Sequence, residues 1–308
     1  MNPTYRTTYH ENRNAWLQAR NVHGRIGSSS VAAVLGVSPW EGPWDVYLRN
    51  RDFDPDAELN DDNQTADMAR GHYWEPHLAK WYADRTDAQL TGWGDFTVHH
   101  PQHAWLVVSP DELVLADYGV VEIKTQRYRN GWGADGEIVT HASPEALGTI
   151  PPYYLVQAYT LLAACEAEYC DFVVGFSFSD IRVIRVMADP KYQARLVSMV
   201  AAWRQRHVID GVQPPYDDSA ASRGELLTFD RQGHRFASPE EQALLIGYVE
   251  AQGREKQGKA DREAARNILI RHIAESGVNS ILMPDEHGKG MLNKRGHLKV
   301  TGIKGPSS

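Results

Sequence analysis

The sequence predicts an α/β protein, a central mixed β-sheet flanked by helices, with a helical appendage after it. Three observations carry that expectation. Apolar residues recur with a helical period until about residue 90, then with a strand-like period through three consecutive segments. A further helical pattern separates those segments from two more strands, an order that layers helices on a sheet. From about Ser219 the chain changes character and becomes polar and helical.

In chain order, "NRNAWLQARN" predicts a first helix and "SSSVAAVLGV" a second, opening behind a serine cluster able to cap it. "SPWEGPWDVYLRN" is a Pro/Gly turn leading into an aromatic helix, and "DFDPDAELNDDNQTAD" is an acidic, solvated loop with no catalytic role. "MARGHYWEPHLAKWYADRT" predicts the next helix, with Tyr73, Leu78, Trp81 and Tyr82 supplying its apolar faces. Strands follow at "DFTVHH", "WLVVSPDELVLAD" and "YGVVEIKTQR". The helix "YYLVQAYTLLAACE" comes after "GTIPP", then the strands "EYCDFVVGFSF" and "DIRVIRVMA". Residues 1–218 form the main domain, 219–237 a linker around "DDSAASRGE", and 238–308 an extension. That extension reads as a long helix or helical hairpin from Ser238-Pro239, followed by a small β-hairpin at "NSILMPDEHGKGMLNKRGHLKVTG".

Composition narrows the function classes. A chain of 308 residues with 42% hydrophobic and 23% charged residues is ordinary for a soluble globular protein with a sizeable core. No apolar run is long enough to cross a bilayer, and "MNPTYRTTYHENRNAW" has no apolar signal core, which predicts a cytoplasmic protein with no membrane partner. Cys165 and Cys170 are expected as packing residues; two thiols supply neither a disulfide framework nor a four-thiolate cluster. The net charge of −8 argues against a broadly basic nucleic-acid surface, but its distribution is uneven. Residues 252–308 hold eleven Lys/Arg against six Asp/Glu, which leaves the remainder near −13.

The stretch "VVSPDELVLADYGVVEIKTQ" concentrates the chemistry. Asp111 follows a strand and a proline, and Glu122 lies within the next strand. Alternation puts Glu122 and Lys124 on one face, with Val121 and Ile123 on the other. Two carboxylates so placed repel unless a cation sits between them. A hard divalent ion such as Mg²⁺ accepts carboxylate and carbonyl oxygens while keeping several waters. It lowers the pKa of a bound water and stabilises charge developing on a phosphate. A nearby ammonium can hold the attacking water and stabilise the same charge. As a bare spacing D…E-x-K is a weak signal, because Asp, Glu and Lys are abundant, and its ordinary reading is a solvated hairpin.

"SPDELV…GVVEIKT" closely resembles the "SPDG…EiK" core of the lambda-exonuclease and YqaJ viral recombinase family, within the PD-(D/E)xK nucleases. Three other segments fall in the family's order. "WLQARNVHGRIGSSSVAAVLG" resembles its W-x3-R…iG-x-S block, "RGHYWEP" its G-x-x-x-E helix, and "YYLVQAYTLL" its Y-x-x-Q helix; together they span roughly residues 15–180. The resemblance implies a restriction-endonuclease-like core and a Mg²⁺-dependent DNA exonuclease, with Mn²⁺ able to substitute. Such an enzyme degrades the 5′ strand of duplex ends and leaves a 3′ single strand for an annealing protein or recombinase, in a prokaryotic or phage-infected cell. Members of the lambda type form a ring-shaped trimer around DNA. A restriction-type endonuclease and an inactive DNA-end-binding module on the same fold are the alternatives.

Position by position, the resemblance makes Asp111, Glu122 and the Ile123 carbonyl metal ligands, and assigns the nucleophilic water to Lys124. Glu75 approaches from its helix to support a second metal or a metal-bound water, with Gln157 close by. Ser29 and Ser109 contact DNA phosphates, and Arg20 clamps the 5′-terminal phosphate. Two extra residues separate Arg20 from "IGSSS", so Arg25 is an alternative for that role. Glu112 stands where the family has glycine and either faces solvent or tunes the metal's surroundings. Tyr154 is expected to pack. Arg127 and Arg129 are either backbone contacts or a solvated turn. His99, His100 and His103 are expected at the surface, without the spacing of a zinc site. Trp40, Trp44, Trp74 and Trp81 are expected in the core, one of them able to wedge a DNA end. The basic C-terminal segment is expected as a solvated helical appendage, with binding to DNA or a partner as the alternative.

Overall fold

The computed structural model describes residues 7–20, 22–54, 65–91, 96–143, 146–217, 219, 221–222, 238–275, 280–282, 289–292 and 298–301. The chain divides into two units, Met1–Phe229 and Asp230–Ser308. The first begins with β1 (Thr7–Tyr9), α1 (Arg13–Arg20), α2 (Ser28–Val34), α3 (Pro43–Arg51) and α4 (Ala66–Thr86). The strands β2 (Phe96–His99), β3 (Val107–Val108), β4 (Glu112–Val114), β5 (Gly119–Thr125) and β6 (Ile138–Val139) follow. Then come α5 (Ala146–Thr149), α6 (Pro152–Cys165), β7 (Tyr169–Ser177), β8 (Asp180–Met187) and α7 (Pro190–Arg204), which runs into a π-helical turn at Gln205–Ile209.

The central sheet has five strands in the order β4-β5-β7-β8-β6. β5 pairs parallel with β7, β4 antiparallel with β5, and β8 antiparallel with β7, so the sheet is mixed. β5 and β7 read as nearly continuous apolar runs because both of their faces are covered. On one face Val120, Phe172 and Val174 join a large core with Leu155, Ala158 and Leu162 of α6 and with α2. On the other, Val121, Ile123 and Val173 pack against Leu78, Ala79 and Tyr82 of α4. Gly175 permits that second contact, since a Cβ there would stand 3.1 Å from Leu78 Cδ1.

The segment expected as one strand, "WLVVSPDELVLAD", is two. Val107–Val108 joins an antiparallel sheet in the order β1-β2-β3, whereas Glu112–Val114 joins the central one. Pro110, lacking an N–H, falls at the break, and Asp111 is thereby left at the corner between the two sheets.

Several local expectations need correction. α2 starts on Ser28 with Gly27 as its N-cap and no side-chain capping bond, so the serines form its first turn instead of capping it. α7, where no element was expected, opens on Pro190 and is capped by Asp189, whose carboxylate accepts from the Tyr192 N–H at 3.1 Å. Cys165 and Cys170 are both buried and free. The acidic loop and the linker fall largely on residues 55–64 and 223–237, outside the described residues. In the second unit, α8 (Pro239–Glu275) is one continuous helix. Beyond it β9 (Ser280–Leu282), β10 (Lys289–Leu292) and β11 (Leu298–Thr301) form a three-stranded antiparallel sheet, one strand more than the expected hairpin. Among the described residues no helix is long and apolar enough to cross a membrane.

A buried ion pair ties β7 to β8. Asp171, 1% exposed at its side chain, accepts two bonds of 2.8 Å from Arg185 and one of 2.7 Å from the Tyr82 hydroxyl. Arg185→Ala leaves that carboxylate with Tyr82 alone, and urea denaturation is expected to show a loss of about 3 kcal/mol. Asp171→Asn, which keeps hydrogen-bonding capacity, should lose less.

Candidate active site

The antiparallel pairing of β4 with β5 ends at Glu112 opposite Val121. One step further, Asp111 comes opposite Glu122, and its Oδ2 accepts the Ile123 N–H at 2.6 Å. In an extended strand a residue's N–H and C=O point to the same side, so the Ile123 carbonyl also faces the Asp111 edge, beyond the last pair of the ladder. Glu122 is 2% exposed. Its Oε1 accepts from Lys124 Nζ at 2.5 Å and from Gln157 Nε2 of α6 at 2.7 Å. Its Oε2 is buried with no protein partner. Lys124 Nζ also lies 5.2 Å from the ring centroid of Tyr154.

Electrostatics matches this geometry. Burial, opposed in part by Lys124, pushes the Asp111 carboxyl up to about 6, and Glu75 and Glu112 add to the rise. Burial and then the charge of Asp111 push Glu122 up to about 7. Lys124 moves upward despite burial, because Glu122 and Asp111 hold its ammonium. A single ammonium is thus shared by two buried carboxylates. Two carboxylates, one of them with an unsatisfied buried oxygen, and a strand-end carbonyl form an all-oxygen set that fits a hard divalent cation.

Glu75 belongs to α4, on the opposite face of the sheet from Gln157. It reaches toward the end of β5, where a Cβ on Gly71 would stand 3.9 Å from Glu75 Oε1 and 3.6 Å from Thr125 Oγ1. Among the described residues no three His, Cys, Asp or Glu side chains cluster at metal-binding distance, so Glu75 does not close up with Asp111 and Glu122. Glu112 does not face solvent: it is 1% exposed and accepts from the Thr91 hydroxyl at 2.8 Å.

Beside the carboxylates lies a cleft of about 520 Å³ whose lining includes Arg13, Arg20, Arg25, Arg49, Ser29 and Lys124. Arg13 and Arg20 both stack on Trp16, at 4.0 and 4.2 Å from its ring centroid. The Trp16 indole donates to Ser109 Oγ at 3.1 Å and to the Phe96 carbonyl at 3.2 Å, which fixes α1 against the loop before Asp111. Burial and the neighbouring Arg13 lower the Arg20 guanidinium to about 10. Arg20 makes no ion pair among the described residues, although the charges of Glu122 and Asp111 attract its guanidinium. Arg25 donates instead to the Ala19 carbonyl, so of the two arginines considered it is the one engaged with the protein. Ser29 is exposed at the cleft wall. Arg13 and Arg49 were missed. Arg13 was legible, lying three residues before Trp16 as Arg20 lies four after it, on one helix face. Arg49, paired with Glu41 at 3.1 Å, carries no local signal.

The other singled-out residues separate cleanly. Arg129 pairs with Asp180, while Arg127 is exposed. His100 is not at the surface: it is 9% exposed, accepts the Gln102 and His103 N–H groups, and is lowered by burial to about 4. Trp44 is fully buried, but Trp40 is 67% exposed, edge-on to Tyr153 at the cleft. Trp74 and Trp81 are half-buried.

A mixed sheet with Glu-x-Lys on an inner strand and an aspartate at the mouth of the preceding hairpin strand is a PD-(D/E)xK core. The chain belongs to the YqaJ-like viral recombinase family, whose domain matches residues 15–168. It is 22% identical over 221 residues to "Uncharacterized protein YqaJ" of Bacillus subtilis (strain 168), covering 70% of this chain and 62% of that relative's length. It is similar to an alkaline exonuclease from Laribacter hongkongensis, with 23% identity, 61% of this chain, 89% of that chain and a TM-score of 0.46. A phage related exonuclease from Haemophilus somnus 129PT gives 12% identity, 60% of this chain, 93% of that chain and a TM-score of 0.40.

The raised Glu122 carboxyl sets a sign for stability. Its folded value, about 7, exceeds the ordinary glutamate value of about 4.3, so its contribution is full below that value and is lost as pH rises through 7. In metal-free buffer, thermal denaturation of Glu122→Gln against the parent should therefore move in the variant's favour between pH 5 and pH 8.

Proposed function

We propose that this chain is a metal-dependent DNA exonuclease of phage-type recombination, working 5′ to 3′ from duplex ends and leaving 3′ single strands for an annealing protein or recombinase. The observation that carries the reading is the corner of β4 and β5, where Asp111 and Glu122 are buried together and Glu122 Oε2 has no partner. Asp111, Glu122 and the Ile123 carbonyl would hold Mg²⁺, with Mn²⁺ able to substitute, and Glu75 would support that ion or its water from α4. When bound, the ion would lower the pKa of a water and stabilise charge on the scissile phosphate. Lys124 keeps its proton through the working range and would hold the nucleophilic water by hydrogen bonding. Gln157 fixes the orientation of Glu122 by its 2.7 Å bond.

Arg20 would clamp the 5′-terminal phosphate, with Arg13 and Arg49 adding charge and Ser29 and Ser109 contributing hydroxyls. Arg25 would brace the end of α1 through the Ala19 carbonyl. This concave basic cleft supports end recognition over the internal cutting of a restriction-type endonuclease. The complete Asp111, Glu122 and Lys124 set supports catalysis over an inactive end-binding module. A ring trimer threaded by DNA, in the cytoplasm of a prokaryotic or phage-infected cell, is part of the proposal; a monomeric mass by light scattering with and without DNA would remove the ring and leave the nuclease.

Linear duplexes labelled at either end, with and without a 5′ phosphate, should release label from the 5′ strand only when Mg²⁺ is added. Nicking of closed circles would count against the assignment. Glu122→Ala and Lys124→Ala should each lower turnover roughly a thousandfold while leaving DNA binding in place. Arg20→Ala should lower kcat/KM on 5′-phosphorylated ends by about tenfold or more, with little change on 5′-hydroxyl ends.

A further inference from the structure

Past the end of β5, on the side of the sheet covered by α4, lies a second depression of about 520 Å³. Its walls are apolar and aromatic, with Trp74 and Trp81 from α4 on one side and Phe178, in the β7–β8 turn, on the other. Trp74 and Phe178 meet edge to face at 4.8 Å, yet Phe178 remains 86% exposed. Phe178 is not a lone apolar residue but part of a contiguous aromatic patch with Trp74 and Trp81, and such patches mark interaction sites. Thr125, Gln126 and Arg127 form the floor and rim. Arg127 is exposed and makes no ion pair among the described residues.

The position of this groove relative to the carboxylates identifies its occupant. Thr125 and Gln126 directly follow Lys124, and two strand residues span about 7 Å. That is close to the distance between neighbouring phosphates of an extended single strand. Gln126 also donates to the Tyr154 hydroxyl at 3.0 Å, and Tyr154 lines the basic cleft. The basic cleft and the aromatic groove therefore flank the end of β5 on its two sides. A strand with its terminal phosphate in the first and its scissile phosphate at Glu122 would bring the next base to the second.

We propose that the Trp74–Phe178 groove is a stacking site for an unpaired base of the strand being hydrolysed, on the 3′ side of the scissile bond, with Arg127 on the adjoining phosphate. This rests on the nuclease reading and deepens it. Stacking on an aromatic ring is tolerant of base identity, and a flanking arginine adds backbone attraction without sequence preference. The site would hold the strand frayed and aligned, so it is a positioning device separate from the metal-binding set.

Fluorescence anisotropy with 5′-phosphorylated duplexes carrying short unpaired 5′ ends tests it, with Mg²⁺ withheld so that nothing is cut. One abasic site in the unpaired end of the 5′ strand should weaken binding to the parent by roughly tenfold. The same lesion in the complementary strand should not. Trp74→Ala and Phe178→Ala should each lose about the same factor on intact DNA, and the abasic site should then add nothing; Trp74→Phe should recover most of the loss. Phe178 is exposed enough for its replacement to leave the fold intact. Unchanged binding by both alanine variants, or equal sensitivity to the lesion in either strand, overturns the site. So does a fall in oligomeric mass of Phe178→Ala by light scattering, which would make the groove a contact between copies. A parent that fails to bind duplex ends at all defeats the nuclease reading itself.

Discussion

The register of β4 on β5 is the constraint on which the candidate site depends. Glu112 opposite Val121 brings Asp111 opposite Glu122 and leaves the Ile123 N–H free to bond the Asp111 carboxylate at 2.6 Å. A one-residue slip would turn every β4 side chain to the other face, exchanging apolar and acidic positions. The register is held by more than its short ladder. Leu113 is locked into the core, and the Thr91 hydroxyl donates to the buried Glu112 carboxylate while its oxygen accepts the Leu113 N–H at 3.1 Å. The acid standing in place of glycine thus anchors the strand that positions Asp111, while adding to the repulsion that raises its pKa.

Burial on both faces makes this corner expensive for the fold. Two carboxylates share one ammonium, and one carboxylate oxygen has no partner, so the folded chain carries unfavourable charge that an unfolded chain would solvate. The rest of the sheet offsets it through the continuous apolar faces of β5 and β7 and the Asp171–Arg185 pair. Strain held at a site and balanced by the surrounding core is what a preorganised cation site would require, since its ligands would be desolvated before any ion arrived.

Much of this was legible in the sequence because the signals were local. Alternation placed Glu122 and Lys124 on one face, Pro/Gly punctuation located the helices now seen as α3 and α6, and apolar positions located α4 despite its interior Pro76. What escaped depended on long-range packing. The split of "WLVVSPDELVLAD" between two sheets follows from partners on distant segments, β2 for Val107–Val108 and β5 for Glu112–Val114. α7 escaped although its Asp-Pro start is a usable cap signal and its buried Leu196, Val197 and Val200 recur at helical spacing. Arg49 reaches the cleft only through the fold, and Trp40 resembles a core residue by type while standing at the cleft mouth.

The contrast between overall and local charge follows from the same geometry. A chain of net charge −8 is a poor general partner for a polyanion, and its acidic body would repel DNA at distance. The cleft reverses that sign within a few ångströms, because Trp16 gathers Arg13 and Arg20 onto one helix face and holds that helix against the Asp111 loop. Long-range repulsion is screened at physiological salt over about 8 Å, whereas partly buried cations in a concave site are screened much less. An acidic exterior with a basic, half-buried cleft would therefore disfavour adsorption along a duplex and favour a chain terminus that can enter the cleft. For this protein, discrimination between ends and interior would be a property of charge placement, set by where α1 is docked, and would need no reading of base sequence.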